Sequence, residues 1–268
     1  MVTTLVRTRR PPVAVVVIAT LTVLFLAVPL VGLLAEASWS TLWHDLTTPV
    51  AIDAFELSLI CSLWATGLSV VFGVPLAWVL ARTDLPGRNL VRALAILPMV
   101  LPPVVGGVAL LLAFGRDGLL GRPLHDWFGV QLTFTTAGAV LAETFVAMPF
   151  LVITVEAALR SMDRRYEEAA ANLGAGRWTV FRRVTVPMIA PSLVAGAALT
   201  WARALGEFGA TITFAGNIQG RTQTLPLAVY LALQDDEPVA IALSLALLAV
   251  SIVVLVSLRG RWLGALRS

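Results

Sequence analysis

Six apolar stretches, each long enough to cross a bilayer, constrain this chain more than any other feature. They cover residues 12–35, 57–81, 93–115, 137–159, 188–212 and 238–258. An α-helix needs about 20 mostly apolar residues to span the hydrocarbon core. We therefore expect an all-α membrane protein with six transmembrane helices, in which residues 1–268 form a single transmembrane domain.

The composition supports this expectation and excludes one source of energy. Charged residues make up 13% of the chain and hydrophobic residues 58%, whereas charged residues make up about a quarter of a soluble domain. The chain has 19 basic residues of the Lys and Arg types, and all of them are arginine. Because a phosphate-binding P-loop needs its lysine, the ATP and Mg²⁺ of any ATP-driven process would be bound by a partner. We expect no cofactor in this chain.

The first apolar stretch has features of both a signal peptide and a membrane span. Ala35-Glu36-Ala37 resembles a cleavage site with its small residues. However, the apolar run of residues 12–35 exceeds the usual signal-peptide core of about 7–15 residues. Its length favours an uncleaved first span.

Arginines are concentrated on alternate connections between the spans. If the N-terminus is cytoplasmic, the cytoplasmic segments hold 15 arginines and the outer loops three. The cytoplasmic arginines lie at residues 7–10, 82–92, 160–183 and 259–267. Because arginines and lysines favour the cytoplasmic side, we expect a multi-pass protein of the plasma (inner) membrane with both termini in the cytoplasm. Arginines at the ends of spans fit a protein surrounded by membrane lipid and do not indicate a nucleic-acid partner.

The third stretch contains helix-breaking residues. Pro98, Pro102 and Pro103 are followed by Gly106 and Gly107. Proline removes a backbone hydrogen bond and kinks or interrupts a helix. In a membrane such a break persists where neighbouring helices or a polar cavity satisfy the freed backbone groups. The sequence alone leaves open whether this break is a simple kink or lines a pore.

Residues 160–187 form the longest polar passage of the chain. Apolar residues recur every three or four positions from Tyr166 to Leu173, so they share one face of a helix. Gly174 and Gly176 end that helix, and a second apolar face begins with Trp178. A helix-turn-helix of this length has no core of its own. We therefore expect its apolar stripe and its six arginines to contact a partner.

The spacing within this loop resembles the EAA loop of ABC importer permeases. The family pattern is E-A-A, three residues, G, nine residues, I, one residue, L-P, and here it runs from Glu168 to Pro187. Val184 and Val186 depart from the pattern, and both keep an apolar side chain. The resemblance implies that this loop couples transport to a cytoplasmic ATPase. The residues expected to do so are Glu167, Glu168, Ala169, Ala170, Gly174, Arg177 and Pro187.

The fifth stretch carries two charged residues inside an apolar span. Arg203 and Glu207 are four residues apart, so we expect them on one helix face, where they can neutralise each other. Each alone would cost about 2.5–3.5 kcal/mol in hydrocarbon. Such a pair either joins neighbouring spans or lines a polar path, and the spacing does not decide between these roles. The translocation path is predicted to include Thr200, Arg203, Glu207, Thr211, Thr213 and Asn217.

The segments around this pair resemble the oxyanion branch of the same permeases, which serves molybdate, tungstate and sulfate. Residues 216–230 are more similar to molybdate permeases, with sulfate and tungstate as alternatives. The resemblance implies a type I importer permease that works by alternating access. Its implied partners are a second permease copy in a homodimer, two cytoplasmic ATPase subunits and an extracytoplasmic substrate-binding protein.

A secondary transporter is the alternative from a different class, with Arg203 and Glu207 as an ion-coupling pair. Inverted repeats would favour that class, and the sequence contains none that we recognise. No cluster of His, Cys and Asp and no Ser-His arrangement indicates a catalytic or metal site. We therefore expect that this subunit is not itself an enzyme.

Overall fold

The structure is a computed structural model that describes residues 12–265, with the side chains of residue 255 and residues 257–265 left out. The arginine clusters expected at residues 7–10 and 259–267 therefore lie outside the described side chains. The chain termini, to which the predicted orientation also refers, lie outside the described residues as well.

Residues 12–265 form thirteen α-helices and no strand, as the apolar stretches predict. The helices are α1 (Val13–Ala35), α2 (Leu42–Leu46), α3 (Pro49–Arg82), α4 (Arg88–Val100), α5 (Pro103–Phe114), α6 (Gly121–Phe128), α7 (Thr136–Ser161), α8 (Arg165–Asn172), α9 (Arg177–Val180), α10 (Val186–Leu205), α11 (Gly209–Ala215), α12 (Leu225–Asp235) and α13 (Glu237–Ala265). One turn of π-helix, Phe181–Thr185, joins α9 to α10.

Five of these elements are long and apolar enough to cross a membrane: α1, α3, α7, the continuous helix Arg177–Leu205, and α13 up to Val254. The pair α4 and α5 makes a sixth element, which is bent by 118°. The expectation of an all-α membrane protein is therefore confirmed, and the six expected spans correspond to these five elements and the bent pair.

The central core lies where α3, α7 and α10 pack together. Leu80 of α3, Leu151 and Leu159 of α7, and Ile189 of α10 are all buried there. Small residues let the helix backbones approach closely. A Cβ atom on Gly196 of α10, for example, would lie 3.2 Å from Thr154 Cβ on α7. Tight packing therefore holds these three helices together.

The two longest core helices begin at threonine caps. Thr48 Oγ1 accepts a hydrogen bond of 3.3 Å from the backbone N–H of Ala51, at the start of α3. Thr135 Oγ1 accepts one of 3.1 Å from Gly138 N–H, at the start of α7. Threonine is a favoured residue at this position because its oxygen satisfies a backbone donor that the helix leaves free.

The third predicted span, residues 93–115, is not one straight helix. Helix α4 ends at Val100, Leu101 is extended with ψ of 138°, and α5 begins at Pro103. A residue before proline is driven away from helical geometry by the proline ring, which explains why the chain turns at Leu101–Pro102. The interruption predicted from the prolines is therefore present in the structure.

The fifth predicted span, residues 188–212, has different bounds. Its helix begins at Arg177, within the predicted loop, and continues through the π turn to Leu205. The chain then breaks at Gly206 and forms the separate helix α11. The second helix of the loop is therefore continuous with the membrane span, and a movement of the loop is passed directly to α10.

Helices α5 and α11, which follow the two breaks, pack on each other. A Cβ atom added to Gly107 would lie 2.6 Å from Thr213 Cβ and 3.0 Å from the Ala210 carbonyl oxygen. One added to Gly209 would lie 2.7 Å from Pro103 Cβ. Contacts this short leave room only for glycine, so the two interrupted segments are fitted closely to each other.

Candidate functional site

Helix α8 carries four of the seven predicted coupling residues and ends in a glycine turn. Gly174 has φ of +86°, a backbone conformation that favours glycine. Its N–H donates to the Ala171 carbonyl at 2.9 Å, and Ala175 N–H donates to the Ala170 carbonyl at 3.1 Å. These two bonds form a Schellman motif, which satisfies the free carbonyls at the helix end. Gly174 is thus required by the geometry of the turn.

Glu167 ties α8 to two membrane helices. Its Oε2 lies 3.1 Å from Arg82 Nε, at the last residue of α3, in an ion pair without hydrogen-bond geometry. Its Oε1 accepts a hydrogen bond of 2.6 Å from Thr185 Oγ1 in the π turn. Arg82 is largely buried, since only 7% of its side chain is exposed. Any displacement of α8 therefore pulls on the ends of both α3 and α10.

The outer face of the loop is apolar and uncovered in the single chain. Leu173 is 90% exposed, Trp178 71% and Tyr166 58%. The Trp178 ring stacks on Phe181, with ring centroids 5.6 Å apart. Large apolar side chains presented together on a surface mark a contact site for another molecule.

The predicted coupling residues fall into three groups. Glu167, Glu168 and Arg177 line one hollow of about 360 Å³ between the loop and the end of α3. Gly174 forms the turn, Ala169 is exposed and Ala170 is half-buried. Pro187 is exposed in the first turn of α10. The structure thus brings the three charged residues together around one hollow, and the glycine, the two alanines and the proline lie elsewhere on the loop and on α10.

Arg203 and Glu207 form an ion pair, but they do not share a helix. Arg203 lies in the last turn of α10, and Glu207 lies beyond its end. Arg203 Nη2 is 2.5 Å from Glu207 Oε2, and Glu207 Oε1 accepts a hydrogen bond of 2.9 Å from Ala210 N–H. The expectation of a common helix face is wrong, since the chain breaks at Gly206. The pair instead joins the two sides of this break.

The two partners differ in burial. Only 1% of the Glu207 side chain is exposed, whereas 28% of the Arg203 side chain is exposed. A buried charge needs a partner because the protein interior solvates it poorly. Glu207 therefore depends on Arg203 more than Arg203 depends on Glu207.

The four neutral residues of the predicted path differ in burial and in hydrogen bonding. Thr200 is buried, and its hydroxyl donates to Gly196 of its own helix at 2.8 Å. Thr213 is half-buried and donates to the Gly209 carbonyl at 2.7 Å. Thr211 Oγ1 and Asn217 Oδ1 are buried and have no hydrogen-bond partner among the described residues. Each of these two atoms therefore has an unused capacity for a hydrogen bond.

Buried polar residues that the sequence reasoning did not assign lie nearby. Ser58 of α3 accepts a hydrogen bond of 2.6 Å from Leu225 N–H at the start of α12. Ser62 accepts one of 2.9 Å from Trp201 Nε1 of α10. Glu143 of α7 is buried, and its Oε2 has no partner among the described residues. The four-residue spacing of Ser58 and Ser62 could have indicated a buried polar face on α3.

A comparison with protein families identifies the family of this chain. Residues 73–265 match the family described as binding-protein-dependent transport system inner membrane component. The chain belongs to this family. The family resemblance read from the loop spacing is confirmed, and an unrelated secondary transporter is excluded.

Individual relatives are similar over most of the chain. The chain is 48% identical to the molybdenum transport system permease protein ModB of Mycobacterium tuberculosis, over 89% of this chain and 90% of that protein. It is 42% identical to ModB of Escherichia coli K12, over 79% of this chain and 92% of that protein. It is 40% identical to the sulfate transport system permease protein CysT of Escherichia coli K12, over 88% of this chain and 86% of that protein.

Solved structures confirm the fold. A bacterial alginate ABC transporter in complex with a periplasmic protein superposes with a TM-score of 0.71, at 21% identity and over 91% of each chain. The MetNI methionine ABC transporter superposes with a TM-score of 0.55, at 18% identity, over 87% of this chain and 98% of that chain. The expected type I permease architecture is therefore confirmed.

The ion pair across the α10–α11 break makes a testable prediction. Arg203→Leu leaves Glu207 buried without a cation, which typically costs about 3–5 kcal/mol, so we expect a marked fall in the yield of folded protein. Glu207→Gln should cost less, because Arg203 is partly exposed and glutamine keeps an acceptor for Ala210 N–H. The double variant should recover much of the loss. The measurement is the yield and thermal stability of the purified protein in detergent.

The same cycle separates a joining role from a path-lining role. If the double variant is stable and also transports normally, the pair serves only to join the two helices. If it is stable and transports poorly or leaks, the pair lines the path. Wild-type yield in the Arg203→Leu variant would contradict the joining role.

Proposed function

We propose that this chain is the transmembrane permease subunit of an ATP-driven importer for an oxyanion, with molybdate as its substrate. The observation that carries the proposal is its identity of 42–48% to molybdenum permeases over 79–89% of this chain. The sulfate permease is 40% identical, so sulfate is the second candidate, and tungstate, which has the shape and charge of molybdate, is the third.

The charge of the proposed path suits the release of an anion. Arg203 is neutralised by Glu207, so no free arginine of this pair would hold a passing oxyanion. Neutral hydroxyl and amide groups bind anions weakly enough to let them leave, and conduction needs such weak binding. Thr200, Thr211, Thr213 and Asn217 supply groups of this kind, with Thr211 having a free hydroxyl.

The partners follow from the uncovered surface of the loop and from the missing P-loop. The chain has no lysine, so the proposed work of ATP hydrolysis belongs to two cytoplasmic ATPase subunits. The permease itself then has no catalytic site. The exposed Leu173, Trp178 and Tyr166 supply the contact surface, and Glu167 passes its movement to α3 and α10. A homodimer of this chain would receive the oxyanion from an extracytoplasmic binding protein.

The arginine distribution supports one orientation in the inner membrane. Fifteen arginines flank one side of the spans and three the other, and the arginine-rich side is expected in the cytoplasm. In this orientation both termini and the loop of residues 160–187 are cytoplasmic, where the loop can reach an ATPase.

Substrate uptake tests the proposal directly. In proteoliposomes that contain the permease, its ATPase and its binding protein, labelled molybdate should accumulate only when ATP is present inside with the ATPase. Unlabelled molybdate should compete at least about tenfold better than sulfate, which corresponds to about 1.4 kcal/mol. Stronger competition by sulfate would assign the chain to sulfate transport. Uptake without ATP would contradict an ATP-driven importer.

The turn at Gly174 provides a test of coupling with a matched control. A side chain at φ of +86° costs about 1–2 kcal/mol for a non-glycine residue, so Gly174→Val should distort the end of α8 and lower ATP-driven uptake. Gly176→Val introduces the same side chain where φ is −64°, and a Cβ atom has no neighbour within 4 Å at either position. Wild-type uptake by Gly174→Val would remove this loop as the coupling element.

Reporter fusions test the orientation. Alkaline phosphatase folds only outside the cytoplasm, so a fusion after Leu258 should be inactive. A fusion after Gly129, in the connection between α6 and α7, should be active. Activity of the first fusion would overturn both the orientation and the cytoplasmic placement of the loop.

A further inference from the structure

Glu156 occupies an unusual position near the end of α7, where one buried carboxylate receives two arginines. It is 6% exposed. Its Oε1 accepts hydrogen bonds from Arg92 Nη2 at 2.7 Å, from Arg92 Nε at 3.0 Å and from Arg160 Nε at 2.9 Å. Hydrogen bonds between charged groups are stronger than those between neutral ones. Arg160 belongs to α7 itself, but Arg92 belongs to α4, so the Arg92 bond fastens one helix to another.

Helix α4 packs on α7, and Arg88 at its start donates a hydrogen bond of 3.0 Å to the Thr83 carbonyl just after α3, but the packing buries little of α4. Of its thirteen residues, all of them described, none is buried. Most of its large apolar residues are exposed, with Leu90 at 66%, Leu94 at 59% and Val100 at 74%, whereas Ile96 is half-buried. Ala95, about one turn beyond Arg92, is only partly buried against the core of α3, α7 and α10. Among the described ion pairs, the Arg92–Glu156 pair is the one that joins α4 to the core helices.

The position of α4 determines the position of α5. The two helices are joined by Leu101 and Pro102 and bent by 118°. Helix α5 is in turn fitted to α11 through Gly107, where a side chain would collide with Thr213 and Ala210. Helix α11 starts two residues after Glu207 and carries Thr211 and Thr213 of the proposed path. A displacement of α4 would therefore be felt at this path.

Glu156 also lies beside the loop proposed to contact the ATPase. Arg160 Nη2 donates to the Leu80 carbonyl at 3.2 Å, and Arg164 Nη2 donates to the Ala81 carbonyl at 3.4 Å, both in the last turn of α3. Arg82, which follows Ala81, pairs with Glu167 of the loop. The last turn of α3 is thus bound both by the loop and by the arginine that Glu156 orients.

We infer that Glu156 is a positioning residue for transport, which holds α4 on α7 through Arg92 and so fixes where α5 meets α11. It contacts no substrate and no nucleotide in this role. It links the end of the bundle that carries the loop to the broken third span. The inference rests on the proposed function for its transport consequence, whereas its structural part stands on the contacts alone.

The experiment uses the full complex of permease, ATPase and binding protein. Spin labels on cysteines at Leu94 of α4 and Ile153 of α7, both exposed, report the distance between the two helices. Glu156→Gln and Arg92→Gln should each broaden this distance distribution and lower ATP-driven uptake at least about tenfold, since each removes the charged hydrogen bonds between α4 and α7. ATP hydrolysis should continue, so the number of ATP molecules consumed per oxyanion should rise.

Two further variants serve as controls. Asp84→Asn removes the ion pair with Arg88, the first residue of α4, at a carboxylate that is fully exposed, so it should change neither the distance distribution nor the uptake. Combining Glu156→Gln with Arg92→Gln should be no worse than either change alone, because both remove the same bond. If Glu156→Gln fails to assemble, Arg92→Gln still decides the question, because it leaves the Glu156–Arg160 pair intact.

The outcomes separate this inference from the proposed function. A narrow distribution in both single variants overturns the inference, and so does a broad distribution with wild-type uptake. If the wild-type complex takes up no oxyanion, the proposed function fails. The distance measurement then still decides whether Glu156 positions α4.

Discussion

The close packing of α3 against α7 is the contact on which the rest of the structure depends. Ala65 and Ala147 are fully buried there, and a Cβ atom added to Gly73 would lie 3.3 Å from Leu151 Cδ2. Between apolar helices in lipid, such packing and interhelical hydrogen bonds supply the stabilisation that the hydrophobic effect supplies in water. Because these helices form a rigid pair, their ends provide fixed anchoring points for the segments that are only loosely packed.

Charged residues form ion pairs at the ends of these helices, and small residues pack between the helices. Arg82, Arg92 and Arg160 pair with carboxylates at the end of α3 and α7 that faces the loop. Within the bundle the described contacts are mainly apolar or made by hydroxyl groups, with Arg203 and Glu207 as a pair across a break. This division follows from the cost of charge in hydrocarbon. In the proposed coupling, a movement of the loop would reach the spans through these ion pairs.

The helix bundle is interrupted at two breaks, and the short helices that follow them pack on each other. The break at Leu101–Pro102 separates α5 from α4, and the break at Gly206 separates α11 from α10. The two short helices pack together through Gly107 and Gly209. Irregular backbone at membrane depth persists where other protein segments cover it. The prolines indicated the first break. The second had no proline to indicate it, and an apolar run that continued to residue 212 was therefore predicted as one helix.

The sequence by itself determined the class of fold, the approximate spans and the family, because these depend on local properties: apolar run length, charge at span ends, and the spacing from Glu168 to Pro187. It also indicated that Gly174 ends a helix, since a left-handed turn favours glycine. Only the tertiary structure decided which charges meet. Arg92 and Glu156 are 64 positions apart, and Arg82 reaches Glu167 only because α3 and the loop come together in space. No spacing rule can find such pairs, because they depend on how whole helices pack, and packing is a property of all their side chains together.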